Sequence, residues 1–310
     1  MPWSSSKVRR ARPLLGTLVE IGVRAPPARA AAGIERAFEA IARVHALMSF
    51  HEAGSDVQRL NRAAHKEPVG VDPDTFAVLE AAERLSRASD GAFDITVAPA
   101  LVRFGFLPAG SAAPPRPPGP GHVAIELTAG CRVRFRAPLW IDLGGIAKGY
   151  AVDRAAEALE DAGIEDYVVN AGGDLRVGCA TEVIHVRHPA RPDALIELAT
   201  LSAGAIATSA QYFAGRPGTD GPVHPIIAPG RDAPARYQGS LSVMAECCTI
   251  ADALTKVVAV RGAAAIPVLE AFGASAALLS TDGRWQHWSG ATARAAGARD
   301  AGLPRHAAAS

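Results

Sequence analysis

Apolar positions recur along this chain with two periods, and the two kinds of segment follow one another without regular alternation. Across 31–48 the residues Ile34, Phe38, Ile41, Val44 and Met48 fall near helical spacing, and Val78, Leu79, Ala82 and Leu85 do the same across 73–89. A third helix is predicted over 149–162, with Ala151, Ala155, Ala158, Leu159 and Ala162 on one face and Asp153, Arg154, Glu157 and Asp161 largely opposite. Two more are predicted over about 250–260 and 264–272. Strand-like runs lie at 14–23, 132–135, 139–143, 167–170, 195–201, 206–208 and 241–245, with a closing pair at 276–280 and 285–288 around Thr281-Asp-Gly-Arg. This irregular mixture argues for an α+β fold rather than a doubly wound sheet.

Punctuation divides the pattern. The polar stretch 49–61 carries no predicted element, and Asp90-Gly91 should end the second helix. Proline lacks an amide donor, so the Pro/Gly-rich segment 108–121 reads as a surface loop. One domain over 14–290 is predicted, with 1–13 and the Ala-rich 291–310 as flexible ends.

Composition narrows the classes. The chain has 310 residues, 49% hydrophobic and 20% charged, enough apolar content for a sizeable core. A net charge of +1 leaves no electrostatic excess for nucleic acid or an anionic membrane, so neither is expected as a partner. No run approaches the roughly 18 apolar residues of a membrane span, and the short apolar stretch after the basic start is broken by Gly16 and Glu20. A soluble, cytoplasmic protein is the expectation. Cys131, Cys179, Cys247 and Cys248 lack metal-like spacing and are too few for a disulfide framework, so they read as ordinary thiols.

The most informative segment is Ile141-Asp-Leu-Gly-Gly-Ile-Ala-Lys-Gly149, in which an apolar run delivers a carboxylate, two glycines and a lysine to a helix start. Glycines let backbone approach a ligand closely, and a helix N-terminus attracts phosphate. Lys148 then offers a mobile positive charge for a pyrophosphate, and Asp142 a hydrogen-bonding partner for a ribose or ring edge.

This segment resembles the Asp-Leu-Gly-Gly-Ile-Ala-Lys-Gly signature of the ApbE family of FAD:protein FMN transferases, and further motifs follow in the family's order. Leu15-Gly-Thr-Leu-Val-Glu-Ile is similar to the family's Met-Gly-Thr strand, with Leu15 in place of methionine. Met48-Ser-Phe-His51, with Ser55 and Asn61, resembles Met-Ser-x-Tyr...Ser...Asn, and Gly91-Ala-Phe-Asp-Ile-Thr-Val-Ala-Pro99 resembles Gly-Ala-Phe-Asp-x-Thr-Val-Gly-Pro. Asn170-Ala-Gly-Gly-Asp174 and Ala207-Thr-Ser-Ala-Gln-Tyr212 also match, the latter with Ala210 where glycine is usual. The likeness runs from about 14 to 262.

The resemblance implies two tunnelling-fold-like halves with mixed or antiparallel sheets and packed helices, binding of FAD, use of Mg2+, and transfer of FMN to a Ser or Thr hydroxyl of an acceptor flavoprotein with release of AMP. Carried over by position, FAD contacts fall on Leu15, His51, Ala92, Phe93, Asp94, Asp142, Lys148 and Ile227. Metal contacts fall on Gly145 through its carbonyl, Asp252, Thr255 and Lys256, and catalytic roles on Asp252 and His224.

Two departures bear on activity. In Ala251-Asp-Ala-Leu-Thr-Lys256 a lysine stands where the family has a metal-binding threonine, four residues after Asp252 on one helix face. Either its ammonium takes the metal's place, or Thr255 supplies the hydroxyl and Lys256 faces a phosphate. The loop from His224 has Ala228 for an aspartate and Pro225 at the usual histidine position, leaving His224 as acid/base candidate or plain loop residue. Alongside the transferase stand two alternatives, an FAD-binding relative without transferase activity and an FAD pyrophosphatase. Other histidines, among them His45, His122, His185 and His188, receive no role.

Overall fold

The computed structural model describes residues 7–109, 115, 120–210 and 223–289. Its centre is one eight-stranded sheet in which every neighbouring pair is antiparallel. β1 (Lys7–Leu14) and β2 (Thr17–Arg24) form a hairpin closed by Leu15 and Gly16, both at positive φ, 55° and 70°. Glycine tolerates that conformation freely, whereas a leucine there is held at some cost in backbone strain.

Helix α1 (Pro27–Met48) begins with proline in its first turn and buries Ile34, Phe38, Ile41, Val44 and Met48 as the periodicity predicts. A peripheral block follows: α2 (Asp56–Ala63), β3 (Val69–Gly70), α3 (Pro73–Ala88), α4 (Ala98–Arg103), β4 (Ile125–Thr128) and β5 (Arg132–Phe135), the three strands pairing in the order β3-β5-β4. The chain then enters α5 (Ala147–Asp161), β6 (Tyr167–Ala171), β7 (Asp174–His188) and β8 (Arg191–Ala210). After the two-residue strands β9 (Ile227–Ala228) and β10 (Ala233–Pro234) come β11 (Ser240–Ala245), α6 (Cys248–Arg261), α7 (Ile266–Ala271), β12 (Ser275–Leu279) and β13 (Trp285–Ser289).

Strand order β1-β2-β6-β7-β8-β11-β12-β13 exposes an internal repeat. Each half is two strands, two helices and two strands: β1, β2, α1, α5, β6, β7 and then β8, β11, α6, α7, β12, β13. The expected two-half α+β architecture is therefore present, with the peripheral block inserted between the helices of the first half. The main core lies between sheet and helices, where Val19, Ile21, Ile34, Ile41, Val152, Leu159, Val169, Leu254 and Val257 are buried.

Several predicted elements differ. Residues 7–13, expected as part of a flexible end, form an edge strand; its Lys7, Arg9, Arg10 and Arg12 hide the period-two signal, and basic residues with Pro13 are what an exposed sheet edge carries. The polar stretch 49–61 contains α2, whose start Ser55 caps by accepting a hydrogen bond from the Gln58 amide at 3.1 Å, with only Val57 and Leu60 as buried apolar residues. Residues 139–143 form no regular element and pair with no strand. β7 was not predicted because its alternation mixes charged and apolar residues on a half-covered hairpin. All four cysteines are free thiols, with Cys248 buried. Most of segment 108–121 and the 291–310 tail lie outside the described residues.

Candidate functional site

A side chain takes the place of a strand neighbour beneath the Gly-Gly turn. The buried Asn61 amide accepts from the Ile141 amide at 2.8 Å and donates to the Ile141 carbonyl at 3.0 Å, and the Asp142 amide donates to the Ile95 carbonyl at 2.8 Å. These bonds satisfy backbone that joins no sheet and aim Asp142, Gly144 and Gly145 at the start of α5. The Asp142 carboxylate accepts from the Gly144 amide at 3.0 Å; burial pushes its proton affinity up, against the pull of that amide, His51 and Lys256.

The turn opens on a cleft of about 1240 Å³ between the sheet and the inserted block. All eight residues assigned to FAD line it: Leu15 from the β1–β2 turn, His51 after α1, Ala92, Phe93 and Asp94 after α3, Asp142 and Lys148 at α5, and Ile227 on β9. So do Gly145, Lys256 and His224. A second Gly-Gly turn, Gly172-Gly173, opens on the same cleft, as do Thr208 and Ser209 of β8. Gln211 and Tyr212, the end of that motif, lie outside the described residues.

Asp252 and Thr255 do not line the cleft; they lie under it, 1% and 0% exposed. One Asp252 carboxylate oxygen accepts from the Lys256 ammonium, and the other accepts from the Gly149 amide at 3.2 Å and sits 3.7 Å from the Lys148 ammonium. Burial alone would raise its pKa, but the Lys148 and Lys256 ammoniums outweigh burial and hold it below the usual carboxylate range. Lys148 pairs in turn with Asp174. Burial and the nearby Asp252 charge raise the Asp174 carboxyl to about 6, while Lys148 is held above its ordinary range by the two carboxylates despite burial.

Asp94 accepts from the Thr96 amide at 2.9 Å and the Thr96 hydroxyl at 2.8 Å, and its other oxygen stands 3.1 Å from the His122 imidazole, whose pKa this contact raises. His224 is buried against Tyr237 with ring centroids 5.3 Å apart, and burial lowers its pKa, which favours the neutral imidazole. His122 and Asp174, given no role from the sequence, thus contact two cleft-lining residues, Asp94 and Lys148. Asp174 was visible as the end of the Asn170 motif, but nothing in the linear order of residues joined it to Lys148, 26 positions away.

The four residues assigned to a metal do not form an oxygen cage. Lys256 as an ammonium has no lone pair to give and covers one Asp252 oxygen, while the Thr255 hydroxyl donates to the Asp252 carbonyl at 2.7 Å and bonds the Ser209 hydroxyl at 2.8 Å. Among the described residues no group of three His, Cys, Asp or Glu side chains converges on a point. No described helix is long and apolar enough to cross a membrane.

Fold and cleft together define a two-half antiparallel α+β protein with a large cleft between the sheet and the inserted block. More narrowly, the chain belongs to the ApbE family, whose profile matches residues 15–279. It is 35% identical over 143 residues to an FAD:protein FMN transferase of Vibrio cholerae, covering 42% of this chain and 41% of that one. To the FAD:protein FMN transferase of Treponema pallidum it is 28% identical over 289 residues, covering 82% and 78%. Several matches are partial: those to the relatives from Vibrio cholerae and Klebsiella pneumoniae span 41% and 58% of those proteins' lengths. Among solved structures, the ApbE protein of Thermotoga maritima superposes with a TM-score of 0.80 at 29% identity, covering 91% of this chain and 97% of that one. The flavin transferase ApbE of Vibrio cholerae does so with 0.77 at 25%, covering 93% and 98%.

Proposed function

We propose that this chain is an FAD:protein FMN transferase that binds FAD in the cleft and passes FMN to a Ser or Thr hydroxyl of an acceptor flavoprotein. The observation that carries this reading is convergence: eight residues from five separated segments, assigned to FAD by position alone, line one cleft. Its volume suits a large ligand, and its walls offer Phe93 and Ile227 to a flavin ring and the Gly144-Gly145 turn with Lys148 to a diphosphate.

In the reaction the acceptor hydroxyl oxygen forms a bond to the FMN phosphorus, the bond from that phosphorus to the bridging oxygen breaks, and AMP leaves with the bridging oxygen. The hydroxyl proton needs an acceptor. His224, kept neutral by burial at the cleft wall, is suited to take it, whereas Asp252 is engaged on both oxygens and acts by positioning the lysines. Lys148 stabilises charge on the phosphate oxygens. The family's divalent cation finds no oxygen cage among these residues.

Incubation with FAD and an acceptor protein, followed by mass spectrometry, is expected to give an FMN adduct and free AMP. His224→Ala should slow adduct formation about 100-fold while leaving FAD bound. FAD bound with neither product would replace this reading with that of an FAD-binding relative, which the Lys256 contact to Asp252 favours. AMP and free FMN without adduct would identify a pyrophosphatase. Failure to bind FAD would overturn all three.

A further inference from the structure

Four charges of alternating sign run across the cleft floor in the order Lys256, Asp252, Lys148, Asp174. The two carboxylates are shut away, with side chains 1% and 3% exposed, and the two ammonium-bearing side chains reach the cleft at 17% and 34%. What a ligand meets at the floor is therefore a pair of cations on a buried, anionic mounting.

Lys256 also fills the space beside the Gly-Gly turn. A Cβ on Gly145 would stand 3.5 Å from Lys256 Cε and 3.9 Å from Cδ, so the side chain lies along that glycine, and its ammonium is anchored by the Asp252 carboxylate and, at 3.0 Å, by the Asp252 carbonyl. A cation entering between Gly145 and Asp252 must first expel this ammonium from a carboxylate that solvent does not reach. Mg2+ would also have to shed water to do so, which it does reluctantly.

Building on the reading of the cleft as an FAD site, we propose that Lys256 is a built-in counter-cation which makes diphosphate recognition here independent of divalent metal. Lys148 and Lys256 each face one side of the FAD diphosphate, with the Asp252 carboxylate between them as the shared anchor. Two fixed single charges replace one fixed charge and one exchangeable double charge.

The test is FAD affinity of the full chain, followed by quenching of flavin fluorescence, in excess EDTA and in excess Mg2+. Wild type should bind equally in both, within about twofold. Lys256→Ala should bind about tenfold or more weakly in EDTA, and Lys256→Thr, which supplies a hydroxyl and uncovers Asp252, should regain affinity when Mg2+ is added. Circular dichroism of both variants checks that they fold, and Lys256→Arg, which keeps the charge, should lose less affinity in EDTA than Lys256→Ala does. Wild-type affinity that rises tenfold with Mg2+, or Lys256→Ala binding undiminished in EDTA, overturns the proposal while leaving the FAD reading intact. No FAD binding in either condition overturns both.

Discussion

Asp153 and Asp252 hold equivalent places in the two halves of the molecule and have opposite surroundings. Each lies four residues beyond the amide that the other's carboxylate holds: Asp153 of α5 accepts from the Cys248 amide at 2.9 Å, and Asp252 of α6 accepts from the Gly149 amide at 3.2 Å. The helices cap one another. Asp153 completes its bonding within the protein, through the Thr249 amide at 2.8 Å, the Thr249 hydroxyl at 2.5 Å and Arg176 at 2.8 Å. Asp252 instead engages two lysines that reach the cleft. One geometry thus yields a structural lock where every partner is internal and a ligand-facing site where the partners also meet the cleft.

The comparison can be broken most severely at the lock. Asp153→Ala strands the Arg176 guanidinium and two helix-start amides, and is expected to cost about 3–5 kcal/mol in urea unfolding. Asp252→Asn, which keeps an oxygen for Gly149, should cost less, about 1–2 kcal/mol, and show its main effect in loss of FMN transfer. Comparable unfolding costs for both would remove the distinction.

The contact between the two helix starts is the next test. A Cβ on Gly149 would lie 2.2 Å from the Cys248 carbonyl oxygen and 2.9 Å from Asp252 Cβ, so only glycine permits the approach on which mutual capping depends. Gly149→Ala is expected to lower stability by about 2–3 kcal/mol and to loosen both caps, which amide hydrogen exchange at Gly149 and Cys248 would register. Unchanged exchange at Cys248 would mean that the caps are independent.

The smallest effect is expected at the cleft wall. The hydrogen bond that His122 donates to the Asp94 carboxylate raises the His122 pKa above its ordinary 6.5, so His122 binds its proton more tightly folded than unfolded. Its contribution is fully present below that ordinary value and is lost as pH rises through the folded one. Thermal melts of wild type should therefore lose stability as pH rises above His122's ordinary 6.5, by a component that His122→Gln lacks. Parallel profiles would show that the contact is not ionic.

The helices were legible wherever apolar spacing extended over several turns. The run from Ile34 to Met48 is buried in α1 as predicted, and the predicted 149–162 helix appears as α5. Elements whose stability comes from elsewhere were not legible: β1 is a basic edge strand, and α2 rests on the Ser55 cap and on Asp56, which accepts from the Asp72 amide at 2.8 Å and the Thr75 hydroxyl at 2.9 Å. The 139–143 run has strand-like composition, yet the Asn61 side chain rather than a strand satisfies Ile141.

By itself the sequence determined the α+β class, the long helices and the family, because these depend on local periodicity and on motifs of contiguous residues. Which polar groups far apart along the chain satisfy one another was decided only in three dimensions. Lys148 meets Asp174 across 26 positions, Gly149 meets Asp252 across 103, and Asp94 meets His122 across 28. Those pairings depend on how the sheet brings α5 and α6 together and on burial, which raises Asp174 while two ammoniums lower Asp252, and neither separation nor burial is written in the order of residues along the chain.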